Sequence, residues 1–141
     1  MYYVNREQIA KRLDAIPELA DGMRLLASDW QGGLLQGLAQ ERTLHLAIET
    51  VTDIGSYLID GFIMRDASSY EDIVDIIHGE AVFPAELYDV LQKLVKLRKP
   101  LAQEYYEWPR KELHPLTVVL PDVLIQFRQA VQEYLERELE A

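Results

Sequence analysis

The sequence predicts an all-α fold, an up-down bundle of four to five helices with a short third helix. Apolar residues recur with a period of about 3.6 along most of the chain, which is typical of amphipathic helices. No segment alternates apolar and polar residues as a half-buried strand does. Proline and glycine separate the periodic segments, and no low-complexity linker is present. We therefore expect a single helical domain over residues 1–141.

The first two helices are predicted to be long. We expect the first over residues 5–29, with a kink at Pro17, because proline cannot donate a hydrogen bond to the carbonyl four residues earlier. Gly32 and Gly33 interrupt the helical period. The second helix is predicted over residues 34–64, with an apolar stripe on one face and polar residues on the other.

Capping residues and prolines mark the remaining helices. Ser69 and Asp72 have the spacing of a capping box, so a short helix is expected to start there and to end near Gly79. Pro84 suits the first turn of a fourth helix, which is predicted to extend to about residue 108 and to bend at Pro100. A last helix is expected over residues 121–139.

The composition favours a cytoplasmic protein. The absence of cysteine excludes disulfides, thiolate metal sites and a cysteine nucleophile. The start of the chain has no apolar signal region, and no apolar run reaches the length of about 18 residues that a membrane span needs. Twenty-four acidic residues against 14 lysines and arginines give a net charge of −10. This charge repels polyphosphates, so we expect no DNA or membrane binding and only weak RNA binding.

A group of basic residues clusters within this acidic chain. Its members are Lys93, Lys96, Arg98, Lys99, Arg110 and Lys111. Two interpretations stay open. The cluster could hold a single phosphate, or it could be a solvated helix face with its positive charges near the C-terminal end of the helix.

The segment 97–106 is the most informative part of the sequence. On an ideal helix, Arg98 and Tyr105 lie about 20° apart in projection, whereas Gln103 lies about 140° from Arg98. We therefore expect Arg98 and Tyr105 to share a helix face, and a bend at Pro100 would bring Gln103 towards Arg98.

This segment resembles the signature Arg, four residues, His, any residue, Tyr of the HepT-like toxins. These toxins are a branch of the HEPN (higher eukaryotes and prokaryotes nucleotide-binding) superfamily. Residues 41–55 resemble the central helix of that family, and residues 69–73 resemble the start of its short third helix. Helix order and length agree as well, so the resemblance covers almost the whole chain and implies a HEPN-like bundle.

The resemblance implies a function and a set of partners. HepT-like proteins are metal-independent ribonucleases without cofactors, typically homodimers whose paired Arg and His side chains meet near the two-fold axis. The resemblance assigns Arg98 as the phosphate clamp, for which the planar fork of a guanidinium is suited. It assigns Tyr105 as the tyrosine that a partner nucleotidyltransferase antitoxin of the MntA type adenylylates.

Gln103 stands where the family has its catalytic histidine. An imidazole with a pKa near 6.5 can take and return a proton, whereas a carboxamide can do neither. Loss of a general acid or base costs about 10²–10⁴ in rate. Pro100 is a further departure, as are Ser56 and Tyr57, where many members have Asn-His. We therefore expect the ribonuclease activity to be lost or much weakened.

A polar stripe follows one face of the second helix. Glu41, His45, Glu49 and Asp53 are spaced four residues apart. A carboxylate-flanked His45 could act as an acid beside Arg98, or the stripe could simply be a solvent-facing row of i,i+4 pairs. The ligand set of a di-iron bundle is missing, so no metal site is expected.

Three functions stay open. The one we favour is a catalytically weakened or inactive ribonuclease that acts as a dimeric interaction and regulatory module. The second is an active ribonuclease toxin that tolerates Gln103 and is silenced by a nucleotidyltransferase antitoxin. The third is a purely structural helical dimer.

Overall fold

The structure, a computed structural model, describes residues 2–139 and is helical without strands over that range. Its helices are α1 (Arg6–Ser28), α2 (Leu34–Gly61), α3 (Tyr70–Gly79), α4 (Tyr88–Lys96), α5 (Arg98–Ala102) and α6 (Pro115–Leu139). Five of the six have nine residues or more, and α5 has five. The predicted all-α fold with a short third helix is confirmed. None of the helices in this range is both long and apolar enough to cross a membrane.

Helix α1 packs along α2 and α6 and supplies one wall of the core. It begins after Asn5, whose side chain accepts a hydrogen bond from the Gln8 N–H, and its bounds agree with the prediction. The helix continues through Pro17. Because proline leaves the Leu13 carbonyl without its helical donor, the Nε of Arg128 on α6 donates to that carbonyl at 3.0 Å. The carbonyl that Pro17 leaves unpaired in α1 is thus satisfied by a side chain of α6.

The core lies between α1, α2, α3, α4 and α6. Its largest fully buried side chains are Phe127, Ile9, Ile16, Met23, Leu44, Ile48, Ile54, Leu58, Ile77, Leu91, Leu94 and Leu120. Burial of each contributes roughly 1.5–3 kcal/mol relative to exposure, before the cost of conformational entropy. This core fixes the helices that carry the site.

Helices α2 and α3 end in the same way. Helix α2 ends at Gly61 rather than at the predicted Met64. The N–H of Met64 bonds the Ile59 carbonyl at 2.9 Å across Ile63, which has a left-handed φ of 55°. A Schellman closure of this kind normally uses glycine, so a β-branched residue gave no sequence signal for it. Ala81 closes α3 with a φ of 59°.

The predicted fourth helix is wrong beyond Lys96. A single 3-10 turn leads into α4, which ends at Lys96, and a separate short helix α5 begins at Arg98. Proline in a helix interior removes one backbone hydrogen bond and is costly, whereas it is tolerated in a first turn, where N–H groups need no helical partner. The chain therefore breaks at Leu97, whose N–H bonds the Leu94 carbonyl, and Pro100 falls in the first turn of α5.

The last helix starts earlier than predicted. It begins at Pro115, a favoured first helical position for proline, and it continues through the buried Pro121. His114 caps the helix, because its Nδ1 accepts the Leu116 N–H at 3.0 Å. The segment between α5 and α6 comprises residues 103–114, and it holds one further 3-10 turn, Tyr105–Glu107.

Candidate functional site

Arg98 is the first residue of α5 and is half-buried. Its guanidinium lies over the ring of Tyr70, the first residue of α3, with 4.1 Å from Cζ to the ring centroid. Within residues 2–139, no carboxylate lies within ion-pairing distance of this guanidinium. A guanidinium over an aromatic face keeps its positive charge, and its N–H groups can still donate to an anion. Arg98 therefore offers an unneutralised positive charge.

Gln103 and Tyr105 lie on separate local elements. Gln103 ends α5 and is exposed, and Tyr105 belongs to the following 3-10 turn with 57% of its surface exposed. The expectation that Arg98 and Tyr105 share a face of one helix is wrong, because α5 ends at Ala102, before Tyr105. In the described part of the chain, no hydrogen bond or ring contact joins the three motif side chains.

The aromatic residues after α5 divide into two kinds. Tyr105 and Tyr106 contact each other edge to face at 5.6 Å and are both exposed. Trp108 packs against the core and stacks on His114 at 5.6 Å with a 17° interplanar angle. Trp108 is therefore a packing residue, and the two tyrosines present free ring surface.

The polar stripe of α2 is occupied by ion pairs. At its start Glu41 accepts two hydrogen bonds from Arg110, and its side chain is only 15% exposed. At its end Asp53 accepts from the Nε of Arg12 on α1 at 3.0 Å. These two carboxylates serve to join neighbouring segments to α2.

His45 occupies the middle of that stripe. Its Nε2 lies 3.4 Å from a Glu49 carboxylate oxygen, and its Nδ1 lies 3.3 Å from the guanidinium of Arg42. No contact between described residues joins His45 to Arg98. The i,i+4 pairing that the sequence offered as one alternative is present, and His45 remains half-exposed beside it.

The positive charges outside the segment 93–111 are mostly paired with acids. Lys11, Arg12, Arg24, Arg65, Arg128 and Arg137 each form an ion pair. In contrast, Lys93, Lys96, Arg98, Lys99 and Lys111 have no carboxylate partner among residues 2–139. Within the segment, only Arg110 is paired. Free positive charge is therefore concentrated around the motif, despite the negative net charge of the chain.

The chemistry that these groups can perform is limited. Arg98 can bind and stabilise a phosphate, and Gln103 can donate or accept a hydrogen bond without transferring a proton. His114 has a structural role, because its Nδ1 caps α6 and its ring stacks on Trp108. Burial lowers the pKa of His114, which favours its neutral form. No cluster of acidic or histidine side chains within the described residues is arranged to hold a metal ion.

Tyr70, Gln40 and Arg110 acquire their roles only in the folded chain. Tyr70 supports Arg98, buried Gln40 bonds the segment before α6, and Arg110 pairs with Glu41. Sequence periodicity identifies none of these contacts because each joins residues far apart in the chain. The weak signal for Tyr70 was its place directly after the helix cap Ser69.

Comparison with known proteins gives the family. Residues 9–130 match the family model described as ribonuclease HepT-like. YutE of Bacillus subtilis (strain 168), a protein provisionally named an RNase, is 39% identical over 142 aligned positions that cover 99% of this chain and 95% of YutE. The solved structure of YutE, described as a cytosolic protein of unknown function, matches with a TM-score of 0.88 and covers 100% of this chain and 97% of that one. The matched span and this identity show that the chain belongs to the ribonuclease HepT-like family.

Proposed function

We propose that this protein is a weakened or inactive ribonuclease of toxin–antitoxin origin that acts in the cytoplasm as a dimeric interaction and regulatory module. The observation that carries the proposal is the contrast within the motif. Arg98 keeps an unneutralised guanidinium, whereas Gln103 presents an exposed carboxamide at the position of the proton-transfer group. Phosphate binding is retained and proton transfer is lost.

The free positive charges support the phosphate-binding half of this proposal. Lys96, Arg98 and Lys99 are close together in the chain, and none has a carboxylate partner among residues 2–139. Paired cations bind a phosphate poorly because their charge is already neutralised. Unpaired ones can each contribute to RNA binding that weakens with salt.

The missing proton transfer explains the expected loss of rate. In RNA cleavage the 2′ oxygen attacks phosphorus and the bond from phosphorus to the 5′ oxygen breaks. The 2′-hydroxyl proton must leave and the 5′ oxygen must gain a proton. Arg98 can stabilise the charge on the phosphate oxygens, but Gln103 can neither accept the first proton nor supply the second. Cleavage should therefore be slower by about 10²–10⁴ than with histidine at this position.

Restoring the histidine tests this proposal. Purified wild-type protein, Gln103→His, and Gln103→His with Arg98→Ala are incubated with a fluorescent single-stranded RNA without added metal. We expect Gln103→His to cleave at least about 100-fold faster than wild type, and the added Arg98→Ala to abolish the gain. Wild-type cleavage as fast as that of Gln103→His would instead establish the active toxin.

The dimer and the RNA contact are tested on the same preparations. Light scattering should give twice the mass of one chain, and a monomer at micromolar concentration would contradict the dimeric module. Arg98→Ala should weaken binding of the RNA. Unchanged binding, together with no cleavage by any variant, would favour the purely structural helical dimer.

Tyr105 is proposed as the site of adenylylation by a nucleotidyltransferase antitoxin of the MntA type. Its exposed ring supports the proposal, because the phenolic oxygen must reach the α-phosphate of ATP, form a bond to AMP and release pyrophosphate. Incubation with the antitoxin and ATP should add AMP to wild type but not to Tyr105→Phe. Tyr106→Phe is the matched control, since Tyr106 is 72% exposed and contacts Tyr105. Modification of Tyr105→Phe at the wild-type level would refute the assignment.

A further inference from the structure

The Arg98 guanidinium contacts the first residue of α3, and the first two turns of that helix carry three acids. Tyr70, which contacts the Arg98 guanidinium, is followed by Glu71 and Asp72, and Asp75 lies one turn further on. Within the described residues none of these acids forms an ion pair with Arg98. Asp72 and Asp75 have other partners.

Asp72 is fully engaged by other groups. The two terminal nitrogens of Arg65 each donate to one of its carboxylate oxygens at 2.7 Å, and the N–H and hydroxyl of Ser68 donate at 2.9 and 3.1 Å. The bidentate contact with Arg65 holds the pKa of Asp72 well below its usual range. Asp72 is therefore a permanent anion whose lone pairs are already occupied.

Asp75 is occupied in a similar way. Its carboxylate accepts a hydrogen bond from the Tyr88 hydroxyl and another from the Nε2 of Gln92 at 2.9 Å. The same Gln92 amide donates to the Glu71 carbonyl, which ties α4 to the first turn of α3. Of the three acids, two are taken by donors other than Arg98.

Among the described residues, the Arg98 guanidinium contacts the ring of Tyr70. A cation over an aromatic face is oriented without losing its charge, whereas a carboxylate would orient it and cancel the charge. Tyr70 is itself held at the start of α3, because Ser69 caps that helix by accepting the Asp72 N–H at 3.0 Å. Stacking thus fixes Arg98 while leaving its N–H groups free.

We propose that Tyr70 is the positioning residue of Arg98, whose guanidinium its ring orients while leaving the positive charge available to an anion. This inference rests on the phosphate-binding role proposed above for Arg98.

RNA binding by three single variants tests the proposal. Wild type, Arg98→Ala, Tyr70→Leu and Tyr70→Phe are titrated with a fluorescent single-stranded oligouridylate at several salt concentrations. We expect Tyr70→Leu to weaken binding about three- to tenfold and Tyr70→Phe to remain within about twofold of wild type, because phenylalanine keeps the stacking face. Arg98→Ala should weaken binding and lower the salt slope by about one phosphate contact. Circular dichroism of each variant confirms that α3 is intact.

A measurement without RNA separates this inference from the proposed function. The Nε–H resonance of Arg98, assigned by its absence in Arg98→Ala, should show a ring-current shift in wild type and Tyr70→Phe and should lose it in Tyr70→Leu. If Arg98→Ala binds RNA normally while the shift behaves as expected, the phosphate-binding role fails but the stacking stands. If Arg98→Ala weakens binding and Tyr70→Leu matches wild type in both assays, the positioning role of Tyr70 is refuted.

Discussion

The connection between α4 and α6 has two halves that are held very differently. The first half, residues 98–107, carries Arg98, Gln103 and Tyr105, and its polar side chains make no ion pair with other described residues. The second half, residues 108–114, is bonded to the start of α2 at several points.

The contacts of the second half centre on Gln40, which is completely buried. Its Nε2 donates to the Glu112 carbonyl at 3.0 Å, and its Oε1 accepts from the His114 N–H at 2.7 Å and from the Thr117 hydroxyl at 2.8 Å. The indole of Trp30 adds a bond to the Lys111 carbonyl at 3.0 Å. The second half thereby holds the C-terminal end of the first half in place.

The difference teaches how a small domain can keep reactive groups available. Groups that stabilise the fold use up their hydrogen-bonding capacity, as Glu41 does with Arg110. Groups that bind a partner must leave theirs open, and they need a neighbouring segment that restrains the backbone. Mutations in the two halves should therefore act on different properties.

Replacing Gln40 with leucine should have the largest effect on stability. The change removes three hydrogen bonds and leaves the Glu112 carbonyl and two donors without their partner, so the free energy of unfolding should fall by about 3 kcal/mol. For a domain of this size the melting temperature should drop by about 10 °C. Urea denaturation followed by circular dichroism measures the change.

The control for this variant comes from the first half, residues 98–107. Gln103→Ala removes the same kind of side chain from an exposed position, and it should alter stability by less than about 0.5 kcal/mol. Equal losses in the two variants would show that the halves do not differ as the structure describes.

A methyl group at Gly37 should disturb the same attachment of the second half to α2. A Cβ at this position would clash with the Arg110 side chain and its backbone carbonyl, so the segment must move away from α2. We expect Gly37→Ala to cost about 1–2 kcal/mol, even though alanine favours a helix. Thermal melting is the measurement.

Gly22→Ala is the matched substitution in α1. Apart from its chain neighbours and the nearby backbone of α1, no atom lies within 4 Å of the added Cβ there, so this variant should be stabilised by up to about 1 kcal/mol. If Gly37→Ala were stabilised to the same degree, the close approach of Arg110 to α2 would be wrong.

Local signals in the sequence predicted most of the helices. The period of apolar residues gave α1 and most of α2, and the Ser69 cap gave the start of α3, because those features depend on neighbours within one or two turns. The error at α4 has a local cause too. Pro100 was placed within a bent helix, whereas the chain starts a new helix so that the proline falls in its first turn.

The site was predicted less completely than the fold. The motif residues could be named from their spacing, but the geometry between Arg98 and Tyr105 depended on an unbroken helix that the structure lacks. The contacts that decide which charges are free, such as Arg65 with Asp72 and Arg110 with Glu41, join separate elements. No periodic pattern encodes such pairs, so availability for binding had to be read from tertiary structure.

The smallest expected effect concerns how pH changes the stability that the second half, residues 108–114, contributes to the fold. Burial lowers the pKa of His114 from the ordinary 6.5, so the unfolded chain binds a proton more readily than the folded one. The stability that neutral His114 contributes is therefore present above about pH 6.5 and is lost as the pH falls through the lowered value. Protonation also converts Nδ1, which accepts the Leu116 N–H, into a donor.

His114→Asn keeps an acceptor at the cap of α6 and removes the titration. Between about pH 7.5 and about pH 5, wild type should lose about 0.5 kcal/mol more than this variant, a small value because the ring is only partly buried. Urea denaturation at each pH gives the difference, and the carboxylates and other histidines cancel because both proteins contain them. If the free energy of unfolding changed with pH in parallel for the two proteins, the neutral imidazole would not be holding the second half to α6.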